Sequence, residues 1–158
     1  MSVPKTIIDY LAENGATYEV RTHPHAETGM GAAAAAALDP AAFAKAVVLH
    51  DAEGYFLAVL PAPRRLDVRK LTEEFGYRPE LVEEGDMPTL FRDCALGAVP
   101  ALGPAYGLDC IVDERLRTLS EVYLEAGDHE EIIRLDGTTF RDLMANARWE
   151  PISVPADL

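Results

Sequence analysis

Lysine is scarce in this 158-residue chain: Lys5, Lys45 and Lys70 stand against 27 acidic residues, and the formal net charge is −13. Phosphates repel such a surface, so a broad electrostatic grip on nucleic acid is excluded. Cysteine is scarce too. Cys94 and Cys110 form no dense framework, which excludes a disulfide scaffold and reads as two reduced core thiols. No apolar run approaches the roughly 20 residues that cross a bilayer. Met1-Ser2-Val3-Pro4-Lys5 has no signal-peptide core. No membrane partner is expected, and the cytoplasm is the expected location.

The familiar catalytic motifs are missing as well. Neither Ser120 nor Ser153 lies in a Gly-x-Ser-x-Gly elbow. No phosphate-cradling or dinucleotide-binding glycine turn occurs, since Gly97, Gly103 and Gly107 are spaced too widely. His23 and His25 flank Pro24, and no His or Cys pair has zinc-ligand spacing. Neither a metal nor a cofactor is expected.

What is present is an ordinary globular composition, 49% hydrophobic and 26% charged. Residues 4–14 read as a helix stopped by Gly15, and 17–22 as a strand. Thr28 caps an alanine-rich helix to Leu38 that packs closely on a sheet. Strands at 44–50 and 55–61 flank a four-residue hairpin loop, and Asp67 caps a helix that Gly76 ends. A strand near 79–83, a helical turn near 87–92 and a loop at 97–104 follow. Strands at 108–112, 121–125 and 131–135 and a helix 139–147, capped by Thr138, complete the pattern. This predicts an α+β fold: one compact domain over 1–150, a mixed or mostly antiparallel, barrel-like sheet flanked by helices, and a loose tail at 151–158.

Three features carry candidate chemistry. Lys45 heads the apolar run Ala44-Lys45-Ala46-Val47-Val48-Leu49 and shares strand parity with Val47 and Leu49. It reads either as a snorkelling strand-end lysine or as a cation held for chemistry. Gly97-Ala98-Val99-Pro100-Ala101-Leu102-Gly103-Pro104 has no polar side chain. It is either a tight turn or a loop whose bare amides meet a ligand oxygen. Gly127-Asp128-His129 precedes a strand, and His129 reads as a surface histidine or as a substrate contact or proton carrier. Residues 61–80 alone have a basic excess, five against four acidic. There Arg64, Arg65, Arg69 and Lys70 form a solvated helix start or a small phosphate-docking patch.

In this order the pieces resemble the YbaK/prolyl-tRNA synthetase-associated domain family of free-standing trans-editing deacylases. The marks are Asn14-Gly15, Thr22-His23-Pro24 with Glu27-Thr28, Ala44-Lys45-Ala46-Val47-Val48, Leu57–Pro61, Gly97–Gly103 with Leu108–Asp113, and Ala126–Leu135. The resemblance spans about Pro4 to Met144. It implies metal-free hydrolysis of the ester joining a wrong amino acid to the 3′ terminus of aminoacyl-tRNA, with a synthetase as a possible further partner. It places Lys45, Gly97 and His129 as catalytic. Thr28, Met30, Ala46, Ala98, Val99, Pro100, Gly103, Gly127 and Asp128 are expected to line the substrate, and the local basic excess makes Arg64, Arg65, Arg69 and Lys70 the expected tRNA-docking residues. Pro100 replaces the proline that relatives carry at the position of Ala101. Ala46 stands where alanyl-tRNA-directed relatives carry asparagine. The rival readings are a non-catalytic module that binds a small ligand or aminoacyl group, and an accessory protein docking on a synthetase.

Overall fold

Strand alternation organises this molecule, because the five longer strands, within 43–51, 54–61, 109–113, 121–125 and 131–136, bury residues on both faces and must be covered twice. The computed structural model describes residues 3–26, 28–82, 90–95 and 98–156. Helix α1 (Lys5–Glu13) buries Ile7 and Leu11, and β1 (Glu19–Thr22) follows. Helix α2 (Gly29–Ala35) starts at Thr28, whose hydroxyl accepts from the Gly31 amide at 2.9 Å. Strands β2 (Phe43–Asp51) and β3 (Gly54–Pro61) form a hairpin in which Asp51 already pairs with Gly54. The loop is therefore two residues rather than the four expected, because Gly54 at φ +130° lets the ladder continue to the turn.

Strand β4 (Arg64–Leu66) leads to α3 (Val68–Phe75), which is capped by Asp67 and ended by left-handed Gly76, as expected. Short β5 (Glu80–Leu81) precedes a stretch in which 83–89, 96 and 97 fall outside the described residues. The first half of the turn expected near 87–92 lies there, as does Gly97. The remainder is β6 (Asp109–Asp113), β7 (Glu121–Glu125), β8 (Glu131–Asp136), α4 (Gly137–Leu143), β9 (Arg148–Glu150) and β10 (Ser153–Pro155).

The main sheet has eight strands in the order β1-β8-β7-β2-β3-β6-β9, with β5 also on β2. Pairing is parallel at β2/β7, β3/β6 and β6/β9 and antiparallel elsewhere. The fold is thus α+β with a mixed sheet. Its end strands do not pair with each other, so the sheet is open rather than closed as a barrel. On one face Ala44, Val48, Val59, Val112, Leu124 and Ile133 pack with α1 and α4. The other face is divided. Phe43, Tyr123 and Ile132 pack under Ala32 and Ala33 of α2, confirming the close helix–sheet contact expected of the alanines. Leu49, Phe56, Ala58 and Ile111 pack with Leu71 of α3 and with Ile152.

Two expectations are corrected. Thr138 does not cap α4, which begins two residues earlier than expected, after Asp136, and ends at Leu143. Gly137 fits there because any side chain would strike the Leu119 carbonyl, and its amide donates to Ser120 O at 2.8 Å. The C-terminal segment is not loose: β10 pairs antiparallel with β4, Ile152 is fully buried, and the Asp67 amide donates to Ile152 O at 2.8 Å. Ile152→Ala should cost about 2–4 kcal/mol in urea unfolding. A loose tail would show no change.

Candidate active site

The site starts from a break in the ladder. Strand β2 pairs with β7 only at Phe43–Tyr123 and Ala44–Leu124, and with β5 only at Leu49 and His50. Between those points one edge of β2 is left by both neighbours, except that Val48 O accepts from the Val82 amide at 3.0 Å. The residues just beyond the last β2/β7 pair are Lys45 and Glu125.

Lys45 lies on the divided face, between the patch under α2 and the patch against α3. Its parity with Phe43 and Val47 puts it there, as expected. Its stem is half-buried and Nζ donates to the Ala62 carbonyl at 3.0 Å. Burial lowers its pKa from the ordinary lysine value. An ammonium has three donors, and one is used among the described residues. Ala46 faces the other way: its methyl packs with the main core, so its side chain does not line a pocket beside Lys45. By alternation with Val48, its backbone groups point into the gap that β7 leaves.

A second group of residues gathers at the β7–β8 turn. The Ala126 amide donates to Glu131 O at 3.1 Å, and Asp128 Oδ1 accepts from the Glu130 and Glu131 amides at 3.0 and 2.8 Å. Gly127 is at φ +90° and His129 at φ +63°, a conformation uncommon for a residue with a side chain. A Cβ on Gly127 would come within 2.5 Å of Pro4 Cγ, so this glycine serves packing. The His129 ring is buried and meets that of His25 at 5.3 Å between centroids. His23 and Ala26 donate their amides to Glu130 O and His129 O, which ties the segment before Thr28 to the turn. Met30, in the first turn of α2, is 45% exposed.

The glycine/proline loop joins this group at its start. Ala95 N donates to Gly127 O at 2.6 Å. Asp93 accepts from Thr6 Oγ1 at 2.7 Å and from Tyr106 OH at 2.9 Å, which pins the stretch to α1. Ala98 and Pro100 are buried, and Val99, Ala101 and Leu102 pack with the main core. Gly103 does not offer its backbone to a ligand. It opens a short 3-10 turn (Gly103–Tyr106), and a Cβ there would meet Cys110 Sγ at 2.5 Å. Both cysteines are free, and burial pushes the thiols up, Cys94 to about 11 and Cys110 to about 12.

Of the basic residues, Arg64 is committed to the fold: its guanidinium donates to Ser153 Oγ at 2.7 Å and Ser153 O at 2.9 Å. Arg65, Arg69 and Lys70 line a surface depression of about 560 Å³ with Glu73 and Val154. A larger cavity of about 690 Å³ lies at the opposite end of β2, around Asp51, Tyr55, Phe75 and Tyr77.

Glu125 was missed in the sequence. It ends β7 on the parity of Tyr123, is 8% exposed, and Oε1 has no hydrogen-bond partner among the described residues. Burial raises its pKa to about 7, while the His129 ring and the amides of His129 and Ala126 pull it down and Asp128 pushes it up. The available signal was a carboxylate on the inward parity of Val122-Tyr123-Leu124-Glu125-Ala126. Among the described residues no three His, Cys, Asp or Glu side chains gather as a metal site.

The sequence profile of the aminoacyl-tRNA editing domain matches residues 23–143. The chain belongs to that family. No curated protein matches it. Among solved structures it is similar to a candidate trans-editing enzyme for prolyl tRNA synthetase, with 21% identity, TM-score 0.80, and coverage of 95% of this chain and 96% of that one. The hypothetical protein APE2540 gives 20%, 0.81, 95% and 100%. A candidate signal transduction protein from Marinobacter aquaeolei VT8 gives 21% and 0.79 over 97% of this editing domain but 31% of its own chain. These likenesses are of fold.

The raised Glu125 pKa predicts a pH dependence of stability. In the unfolded chain the carboxyl ionises near 4.5, but in the fold only near 7. Between those values the folded state binds the extra proton, so its stabilising share is full below about 4.5 and is lost as pH rises through about 7. The linkage amounts to about 3 kcal/mol. Glu125→Gln should therefore gain stability relative to the parent by about that amount between pH 4.5 and pH 8 in denaturant unfolding. A pH-independent difference would show that the carboxyl is not desolvated.

Proposed function

We propose that this editing domain hydrolyses the ester between a wrongly attached amino acid and the 3′-terminal ribose of a tRNA. The observation that carries the reading is Lys45: a half-buried amine tethered to the Ala62 carbonyl, at the point where β2 loses its neighbour, in a chain of the editing family. Among the described residues only the Ala62 carbonyl takes one of its three donors, which leaves the amine able to meet the oxygens of the terminal nucleotide.

In this mechanism Lys45 fixes the terminal ribose-phosphate, and main-chain amides of the glycine/proline loop other than that of Ala98, which donates to Ala95 O at 3.0 Å, polarise the ester carbonyl. Water adds to the carbonyl carbon, helped by the adjacent hydroxyl of the tRNA. The bond from that carbon to the ribose oxygen then breaks. The ribose oxygen takes a proton, which His129 can relay, and the amino acid leaves as a carboxylic acid. An activated ester needs positioning and oxyanion stabilisation rather than a covalent nucleophile, which suits a chain in which neither Ser120 nor Ser153 lies in a nucleophile elbow and burial raises both cysteine thiols. Thr28 and Met30 at the head of α2 bound the aminoacyl group. The likeness to a candidate trans-editing enzyme for prolyl tRNA synthetase makes mischarged prolyl-accepting tRNAs the first substrates to try.

Lys45→Ala should lower deacylation at least about 100-fold while costing only about 1 kcal/mol of stability for the lost hydrogen bond. A panel of mischarged tRNAs with release of free amino acid as the readout checks this; an unchanged rate removes Lys45 from the mechanism. The tRNA contact is confined to few cations, with Arg65, Arg69 and Lys70 bearing it and Arg64 held in the fold. Arg65→Glu with Arg69→Glu should raise KM and reduce the slope of log K against log salt by about 2. An unaltered slope would move the docking surface elsewhere.

A further inference from the structure

Glu125 is placed to read the substrate. Strand parity sets it on the face shared with Tyr123 and Ile132, beneath α2, at the same break in the ladder that exposes Lys45. Its carboxyl is more than nine-tenths buried. The amides of His129 and Ala126 act on it from the left-handed turn, yet Oε1 is unmatched among the described residues. Asp128 repeats the pattern: it is 3% exposed, with Oδ1 taken by two amides and Oδ2 unmatched among the described residues. Leaving buried acceptors unpaired is costly, and two adjacent carboxyls add mutual repulsion. A cation with several N–H donors relieves both costs, whereas an apolar or anionic group relieves neither. Within the chain the His129 ring acts on Glu125, but no lysine or arginine is among the leading groups, and Oε1 still has no partner among the described residues, which leaves it for a donor brought by the substrate.

We infer that Glu125 is a specificity-determining residue of the site, its free carboxyl oxygen receiving the α-ammonium of the aminoacyl group. The inference rests on the deacylase reading. It names the substrate class as esters of amino acids with a free α-amine, excluding N-acylated ones. Burial holds the empty carboxyl near neutrality, and arrival of the ammonium favours its ionised form. Recognition and charge neutralisation thus occur in one step. A site built around such a pair rejects the blocked analogue, because acylation removes the charge and leaves the carboxyl unmatched.

The test compares a mischarged tRNA with its N-acetylated counterpart, each rate divided by its uncatalysed hydrolysis to remove the intrinsic difference in ester lability. The parent protein should prefer the free amine by roughly 10–100-fold. Glu125→Gln should erase most of that preference, chiefly by raising KM for the free-amine substrate. Glu125→Asp, which keeps the charge but shortens its reach, should retain part of it, and serves if the glutamine variant does not fold. Equal normalised rates for the two substrates with the parent would overturn the inference while leaving the deacylase reading intact. So would a glutamine variant that slows both equally, since that marks a role in handling water. Turnover of neither substrate by the parent, across the whole panel, would instead sink the deacylase reading on which the inference stands.

Discussion

The register between β2 and β7 is the constraint on which the rest depends. Two residue pairs of parallel ladder, Phe43–Tyr123 and Ala44–Leu124, hold the strands together, and then they separate. Had the ladder run one pair further, the Lys45 and Glu125 positions would be closed into continuous sheet. Beyond that point a cation and an acid stand on the same face of the sheet. The Ala62 carbonyl, itself positioned by its amide's 2.8 Å bond to Phe43 O, fixes where the lysine stem ends.

The turn at Ala126–Glu131 supplies the second half of the arrangement. It holds one glycine and one histidine in left-handed backbone conformation, a strain of order 1 kcal/mol or more for His129 that surrounding contacts must offset. Those contacts come from distant places: Pro4 against Gly127, Ala95 on its carbonyl, and the 23–26 segment on Glu130 and His129. The turn is thus clamped from three directions, and α1, the 90–95 stretch and the segment leading into α2 act together as its frame.

Local chemistry made much of this legible in the sequence. Thr28, Asp67 and Gly76 act as their residue types dictate, and the parity of Lys45 with Val47 correctly assigned its face. What escaped was whatever depends on partners far along the chain. Strands β4, β9 and β10 have three residues each and exist only through their pairings; Arg64 and Ser153, which link two of them, are 89 positions apart. Such strands carry no periodic signal of their own. The glycines misled in a different way. Gly103 and Gly127 fit a ligand loop equally well on paper, yet crowding by Cys110 and Pro4 explains both. Glu125 was hidden because a carboxylate after a strand reads as solvent-exposed until its burial is seen.

The described residues nearest each end of the sequence pack against these same regions. Val3 is buried and Pro4 abuts the turn that carries His129, while Val154 forms part of the rim of the basic depression. A purification tag or fluorescent fusion is therefore not a neutral addition at either end. One added ahead of Val3 starts beside the histidine turn, and one added after β10 emerges next to the arginines. A reporter inserted at the Ala52-Glu53 hairpin tip, at the opposite end of β2 from Lys45, would leave both regions clear.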